Sequence, residues 1–146
     1  KDVFEELGVQ RKFWRAYIKP GKPIYFGIIE KNGKTKLVFG LAGNPVSSFV
    51  NIYAFIIPAL EEFYKISFNN RLYVKAESIF KKKDSKRHFV RGNFRLSAEN
   101  KTIYVSNESS QSSGNMTGLS NSNCLVILEE DKNLYEKGDV VECIKI

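Results

Sequence analysis

Two glycine-bearing segments near the start of the chain carry the residues best suited to bind an oxyanion. The first is the turn Lys19-Pro-Gly-Lys-Pro23, which places two ammonium groups three residues apart. The second reads G-L-A-G-N-P-V-S from Gly40 to Ser47 and predicts a tight turn followed by a helix start. Gly43 allows close backbone approach, and the first amides of a helix favour anions. Together the two segments predict a pocket for a phosphate-like oxyanion, with the Ser47 hydroxyl as a further donor.

The neighbours of these segments support the same interpretation. Asn44 suits the N-cap of the predicted helix, and Pro45 suits its first position. Arg15 precedes Lys19 by four residues, so the two side chains share a face if the incoming segment is a strand. Charge alone leaves two interpretations of the Lys19–Lys22 turn open: a cationic clamp on an oxyanion, or an ordinary exposed β-turn.

Three later segments carry polar groups, and their roles also stay open. The basic run Lys81–Arg87 is typical of a solvated hairpin tip; a nucleic-acid contact is the alternative, but the flanking aromatics fall at core positions of strands. Arg91 offers a planar guanidinium fork that suits an oxyanion. The polar stretch Ser106–Asn123 has the composition of a flexible loop, or of one that wraps a polar ligand.

The composition excludes several classes of protein and site. At 146 residues with 42% hydrophobic residues, the chain can bury a core and is not disordered in composition. Its net charge of +7 favours anionic partners. The chain has a single histidine, His88. The sequence therefore indicates neither a zinc site built from cysteine and histidine nor a Ser-His-Asp triad.

The sequence predicts a cytoplasmic protein that does not bind a membrane. Cys124 and Cys143 lie in apolar runs, which suits buried free thiols in a reducing compartment. The longest apolar stretch, Phe49–Leu60, is short for a bilayer span and contains Asn51. No signal peptide is visible, and the chain opens in a helical pattern, which suggests a fragment of a longer protein.

An α/β arrangement is predicted to position the chemistry-bearing segments of the first half. Residues 1–7 are predicted as a helix that ends at Gly8. The predicted strands are Phe13–Ile18, Ile24–Glu30 and Lys36–Leu41, with an Asn-Gly hairpin turn at Lys31–Lys34. A long helix follows from Pro45 to about Lys65, bent or interrupted near Pro58. Because an apolar strand, expected to be buried, leads into this helix, we predict an α/β layer.

The second half has no convincing helix and is predicted to be a small all-β domain. Its strand-like runs are Leu72–Phe80, His88–Leu96, Thr102–Ser106, Cys124–Leu128 and Val140–Ile146. The pattern changes after Phe68, so we place the domain boundary near residue 69.

Several of these motifs resemble, in order, the C-terminal part of the MoeA family. They are K-P-G-K-P with a following F-G, V-F-G-L-A-G-N-P-V-S-S-F, F-V-R-G, Q-S-S-G, N-C-L-V-I-L and a closing G-D-V-V-E. The resemblance covers essentially the whole chain. It implies that residues 1–68 are the end of a three-layer α/β molybdopterin-binding domain similar to MogA, and that residues 69–146 are a small, β-barrel-like C-terminal domain.

The resemblance also implies an activity, because the family comprises molybdopterin molybdotransferases, which are related to the E domain of gephyrin. These enzymes act in molybdenum cofactor biosynthesis: they insert molybdate into adenylated molybdopterin and release AMP, with Mg²⁺. Molybdate and adenylated molybdopterin are thus the implied substrates. The implied partners are a second copy in a homodimer of the full-length protein and an upstream molybdopterin adenylyltransferase; nucleic acid is not expected.

Site residues carry over from the family motif by motif. The resemblance implies that Lys19, Lys22 and Arg91 are catalytic. The implied molybdate and substrate contacts are Arg15, Lys19, Lys22, Pro23, Gly43, Asn44, Pro45, Ser47, Arg91 and Ser113. No metal ligand is assigned within the chain.

The sequence departs from the family pattern in two ways. Ala42 stands where the family usually has proline, and the family's G-D-Y-D segment and acidic Mg²⁺ ligands are expected before Lys1. The 146 residues alone are therefore not expected to insert molybdenum. Two other functions stay open: a gephyrin-like scaffold or interaction module, and a basic nucleic-acid-binding domain that uses Lys81–Arg87.

Overall fold

The computed structural model describes residues 2–107 and 120–146 of the chain. Its helical elements are α1 (Asp2–Glu6), α2 (Pro45–Asn51), a π-helical segment (Ile52–Ile56) and α3 (Ile57–Tyr64). Its strands are β1 (Gln10–Trp14), β2 (Ile18–Lys19), β3 (Ile24–Lys31), β4 (Lys34–Leu41), β5 (Arg71–Ala76), β6 (Phe80–Lys81), β7 (Arg87–Leu96), β8 (Ile103–Asn107), β9 (Cys124–Leu128), β10 (Leu134–Tyr135) and β11 (Val140–Lys145).

The first half of the chain contains a three-stranded antiparallel sheet in the order β1–β3–β4. The predicted hairpin is confirmed: Lys31 pairs with Lys34, and Asn32 and Gly33 both have positive φ, as a tight two-residue turn requires. The expectation of a buried strand before the helix is wrong. β4 lies at the edge of the sheet, so its apolar residues are only partly covered.

The predicted strand over Phe13–Ile18 is interrupted. β1 ends at Trp14, and Arg15 has a φ of 72°, which extended chain does not adopt. A new strand, β2, begins at Ile18 and leads directly into the lysine-bearing turn. This short strand belongs to a different sheet from β1, so the chain changes partners at Arg15.

The predicted helix is present as one helical rod from Pro45 to Tyr64. Near Pro58, where a bend or an interruption was predicted, the helix continues and its hydrogen-bonding pattern changes. Ile57 donates its amide to the Ile52 carbonyl, five residues earlier, in a π-type turn. Proline is tolerated there because its missing N–H falls at the first turn of α3. Length and composition alone would let these 20 residues cross a membrane, but core helices share that property.

The second sheet closes on itself. Its strand order is β2–β7–β8–β5–β11–β9, and β9 also pairs with β7, so β7, β8, β5, β11 and β9 form a closed five-stranded barrel. β6 and β10 form a separate two-stranded ribbon. The described strands of the second half therefore form the small β domain that the sequence predicts.

The barrel has two apolar surfaces, and β9 contributes to both. Cys124, Val126 and Leu128 face the barrel interior. Leu125 and Ile127 face outward and pack in one cluster with Val50 of α2. This arrangement buries the whole of C-L-V-I-L, which explains a continuous apolar run where a half-exposed strand would alternate.

The two halves of the chain are tied together by β2 and α2. Ile18 and Lys19 of β2 pair in parallel with Arg87 and His88 of β7. The buried Val50 joins α2 to the outer face of the barrel. A complete three-layer α/β domain is not present in residues 2–107 and 120–146, and the boundary near residue 69 stays a prediction.

Candidate oxyanion site

The lysine-bearing turn between β2 and β3 is held against the helical rod. Gly21 has a φ of 99°, and a Cβ added to it would lie 2.5 Å from Oδ1 of the buried Asn51. Asn51 also donates its Nδ2 to the Pro23 carbonyl at 3.4 Å. The Ala16 amide donates to the Lys22 carbonyl at 3.0 Å. These contacts fix the backbone between the two lysines.

The start of α2 is capped by its own chain. Asn44 accepts the Ser47 amide through Oδ1 at 3.1 Å, and its carbonyl accepts the Ser48 amide at 3.0 Å. Pro45 has no amide hydrogen to donate to an anion. The Ser48 hydroxyl donates to the Ala42 carbonyl. The amides of residues 47 and 48 thus already have partners, so they are not the free anion ligands that the sequence suggested.

A cavity of about 340 Å³ brings the lysine turn and the helix start together. It is lined by Ile18, Lys19, Pro20, Gly21, Lys22, Pro23, Ser47 and Lys86. We call it the oxyanion cavity. Lys19 and Lys22 therefore share a cavity with Ser47, and no carboxylate is among its described lining residues.

The other predicted site residues lie elsewhere. Arg15 stacks its guanidinium over the Trp14 ring, 4.2 Å from the ring centroid, so the expectation that it shares a strand face with Lys19 is wrong. Gly43, Asn44 and Pro45 form the cap and first turn of α2 and do not line the cavity. Ser113 lies outside the described residues.

Arg91 is buried in the barrel wall, with 2% of its surface exposed. It pairs with Leu125 of β9 and lies two residues after Phe89, so both belong to the outer face that packs toward α2. It does not line the oxyanion cavity. Its predicted catalytic role is not tested by this placement and stays a prediction.

Asp84 organises the charges beside the oxyanion cavity. Its Oδ1 accepts the Lys86 amide at 3.0 Å and lies 2.8 Å from Nε2 of His88. Its Oδ2 lies 3.8 Å from Nζ of both Lys19 and Lys86. The hydrogen bonds from His88 and from the Lys86 amide lower the pKa of Asp84 from 3.8 to about 2. Asp84 is therefore ionised wherever the protein is folded near neutral pH.

A second cavity of about 390 Å³ adjoins the first, because Lys19 and Pro20 line both. Its wall includes Lys81 and Lys83 at the rim. The basic run is not wholly a solvated tip, however, because Lys82 is 4% exposed and is hydrogen-bonded inside the protein.

The family is decided by the second half of the chain. The family model of the MoeA C-terminal region (domain IV) matches residues 73–146. The chain belongs to the MoeA family. The matched segment contains nearly all of the closed barrel.

Relatives of the chain extend this similarity to the first half. A molybdopterin molybdenumtransferase from Haemophilus influenzae is 30% identical over 97% of this chain, which spans 34% of that protein. The gephyrin of Dictyostelium discoideum is 29% identical over the whole chain, which spans 23% of it. A molybdenum cofactor biosynthesis protein from Pyrococcus furiosus, with a TM-score of 0.72 and 24% identity, shares the fold over 94% of this chain and 46% of its own. The chain therefore spans about a third and about a quarter of the length of these two sequence relatives.

The oxyanion cavity does not suit Mg²⁺. Magnesium prefers carboxylate and water oxygens in octahedral geometry, whereas three ammonium groups line this cavity. Among the described residues, no three His, Cys, Asp or Glu side chains form a group that could hold a metal ion. The Mg²⁺ expected from the MoeA resemblance has no ligand set in this part of the chain.

Three residues important for the cavity were not picked out by the sequence analysis: Lys86, Asp84 and Asn51. Lys86 and Asp84 were included only as part of a basic run, and Asn51 only as a polar residue in an apolar stretch. A buried asparagine on an otherwise apolar helix face was the one available signal, because such a residue needs a nearby partner. The contacts of Lys86 and Asp84 depend on the pairing of β2 with β7, which no local pattern indicates.

Proposed function

We propose that this chain forms part of a molybdopterin molybdotransferase and that its oxyanion cavity binds molybdate, the metal-bearing substrate. The observation that supports this proposal is the shared lining of Lys19, Lys22 and Ser47 in one cavity. Molybdate is a tetrahedral dianion, so ammonium groups and a hydroxyl match its charge and its acceptor oxygens. The role in molybdenum cofactor biosynthesis rests on the family and on the names of the relatives.

The chain's own residues suggest a division of labour in this proposal. Lys19 and Lys22 neutralise the dianion from two points on a backbone that Asn51 fixes. Ser47 donates its hydroxyl from the first turn of α2. A catalytic role for Arg91 is carried into the proposal from the MoeA family alone, because its guanidinium is buried in the barrel wall near α2 and does not line the cavity. A fixed backbone at the lysine turn reduces the reorganisation that is needed when an oxyanion binds.

The wider features of the proposal follow from the family. Residues 1–68 would be the end of a three-layer MogA-like domain, and the protein would act as a cytoplasmic homodimer on adenylated molybdopterin, which a molybdopterin adenylyltransferase supplies. Mg²⁺ would be held by residues outside those described, since the present cavity does not fit it. The oxyanion cavity then serves to bind and orient molybdate.

Molybdate binding to the 146-residue chain, measured by isothermal titration calorimetry, tests the proposal. Lys22→Ala should weaken molybdate binding about tenfold, the loss expected for one charged hydrogen bond. Lys36→Ala removes an equal charge from the exposed side of β4 and should change affinity less than about twofold. Equal losses in both variants, or no molybdate binding by the parent chain, would refute the proposed site.

A scaffolding role is a second candidate, supported by the gephyrin relative and by the helical rod. The apolar side chains of Ile52, Phe63 and Tyr64 are substantially exposed on that rod. If the chain is an interaction module, binding to a protein partner should survive Lys22→Ala and fall in Phe63→Ser. A partner that is lost in Lys22→Ala would argue against this second role.

Binding to nucleic acid is less well supported. Arg87 is engaged by Glu129 at 2.5 Å and by Glu130 at 3.2 Å, and the Lys82 ammonium is turned inward. Two of the five basic side chains in the Lys81–Arg87 run are thus engaged within the protein. A steep fall in oligonucleotide affinity with salt, lost in a Lys81→Ala and Lys83→Ala double variant, is the result that would revive this interpretation.

A further inference from the structure

Lys86 is the one residue of the described barrel half that lines the oxyanion cavity. It lies just before β7, and its side chain is 29% exposed. The parallel pairing of Ile18 with Arg87 brings this position beside the lysine turn. The cavity is therefore built from both halves of the chain.

The Asp84 carboxylate is fixed in orientation next to Lys86. Its Oδ1 is held by the Lys86 amide and the His88 ring, and its carbonyl accepts a hydrogen bond from Lys82 Nζ at 2.9 Å. This leaves Oδ2 directed toward Lys19 and Lys86, 3.8 Å from each ammonium. That distance exceeds a hydrogen bond, so the ammonium protons remain available to another acceptor.

We propose that Lys86 is a further oxyanion contact and that Asp84 is a positioning residue that holds Lys86 and Lys19 at the rim of the cavity. The inference rests on the proposed function and extends it to the barrel half. A carboxylate this close to an anion site opposes binding by simple charge repulsion. Its contribution must therefore come from restricting two flexible lysine side chains, which otherwise lose rotamer freedom when the anion binds.

Lys86 is tested by molybdate titration of the 146-residue chain. Lys86→Ala should weaken molybdate binding about tenfold, and Lys86→Arg should restore most of it, because both residues supply a cation. Lys83→Ala is the matched control: it removes an equal charge from the same segment, but Lys83 does not line the oxyanion cavity. An equal affinity of Lys86→Ala and Lys83→Ala would overturn the assignment.

Asp84→Asn tests the positioning role, because a rise and a fall in molybdate affinity have opposite meanings. Removing a negative charge should raise molybdate affinity if only electrostatic potential matters. If Asp84 positions the lysines, affinity should fall by about threefold or more, in the range of one exposed ion pair. A rise, or no change, would refute the positioning role. Thermal unfolding of each variant shows whether the chain is still folded at the titration temperature.

The two proposals fail in different ways. If the parent chain does not bind molybdate, the proposed function and this inference both fail. If molybdate binds and Lys22→Ala weakens it while Lys86→Ala does not, the oxyanion site stands and only the role of Lys86 is wrong. Sulfate, a second tetrahedral dianion, serves as a competitor that reports on the same lysines.

Discussion

Asn51 and Gly21 are packed so closely that no side chain fits between them. A Cβ at Gly21 would lie 2.5 Å from Asn51 Oδ1 and 3.2 Å from Cδ1 of Ile18. Asn51 is fully buried, and its Oδ1 has no hydrogen-bond partner among the described residues. The asparagine therefore sets how closely the lysine turn approaches the helical rod, and with it the shape of the oxyanion cavity.

Gly21→Ala should destabilise the chain and deform the cavity. The substitution adds a clash with a buried side chain to the backbone cost of positive φ, so the free energy of unfolding should fall by about 3 kcal/mol. Gly138→Ala is a matched control, since Gly138 has a φ of 94° but open space around its Cβ. It should cost only about 1 kcal/mol. Urea unfolding of both variants measures the difference, and equal losses would show that the contact with Asn51 is unimportant.

Lys82→Met should destabilise the chain although it keeps an unbranched side chain of similar length. The Lys82 ammonium donates to the carbonyls of Asp84 and Glu130 and to Oδ1 of Asn133, at 2.9, 2.9 and 3.1 Å. Methionine leaves these acceptors without their donor, so the expected loss is about 2 kcal/mol by urea unfolding. Lys83→Met, at an exposed position, should stay within about 0.5 kcal/mol. A neutral Lys82→Met variant would show that water replaces the ammonium at no cost.

Asp84 should contribute to the free energy of unfolding of the chain, and this contribution should be lost in acid. Its pKa is lowered to about 2 in the folded state, mainly by the hydrogen bond with His88, from an ordinary value of 3.8. Because the pKa of Asp84 is lower in the folded state than in the unfolded state, its ionised carboxylate stabilises the folded chain at pH values above the unfolded pKa. This stabilisation disappears as the pH falls from about 4 to 2. The difference in unfolding free energy between the parent chain and Asp84→Asn should therefore shrink across that interval. A difference that grows on acidification would contradict the lowered pKa.

Cys124 and Cys143 should be unreactive in the folded chain. Both are fully buried, and they are diagonal neighbours on β9 and β11, because Cys143 pairs with Val126 and Cys124 with Lys145. The hydrogen bond between the two sulfurs raises the pKa of Cys143 and lowers the pKa of Cys124, but burial keeps both sulfurs out of reach of a reagent in solvent. A thiol reagent such as DTNB at pH 8 should therefore label neither residue until denaturant is added.

An exposed thiol provides the control for this experiment. Tyr73→Cys places a cysteine at a residue that is 75% exposed on β5, and it should react at once. Rapid labelling of the parent chain, without denaturant, would mean that the barrel opens far more readily than its packing indicates.

Local patterns predicted the elements whose structure is decided by their own residues. The Asn32-Gly33 turn is an example, because positive φ at both positions is written into those residue types. Pro58 likewise indicated where the hydrogen-bonding pattern of the helical rod changes. Proline lacks the amide hydrogen that would bond to the preceding helical turn, so its effect is local. The shared cavity of Lys19, Lys22 and Ser47 was also anticipated, from two motifs that lie close in sequence.

Long-range pairing decided what the sequence did not predict. The break at Arg15 arises because β1 and β2 join different sheets, and no residue near Arg15 indicates that change. β4 was expected to be buried from its apolar residues, but its place at a sheet edge leaves it half covered. Lys82 looked like a surface lysine because two of its three acceptors, in Glu130 and Asn133, come about fifty residues later.

The two-residue strand β2 has a mechanical consequence. Ile18 and Lys19 pair in parallel with Arg87 and His88. The Arg87 amide also donates a hydrogen bond to the Tyr17 carbonyl at 3.2 Å. Lys19 thus belongs to one strand of this pair, and Lys86 directly precedes the other strand. The pairing sets the distance between the main chains at these two residues. The main chain at Lys19 therefore cannot separate from the main chain beside Lys86 unless these hydrogen bonds break, which couples the position of the lysine turn to that of the barrel.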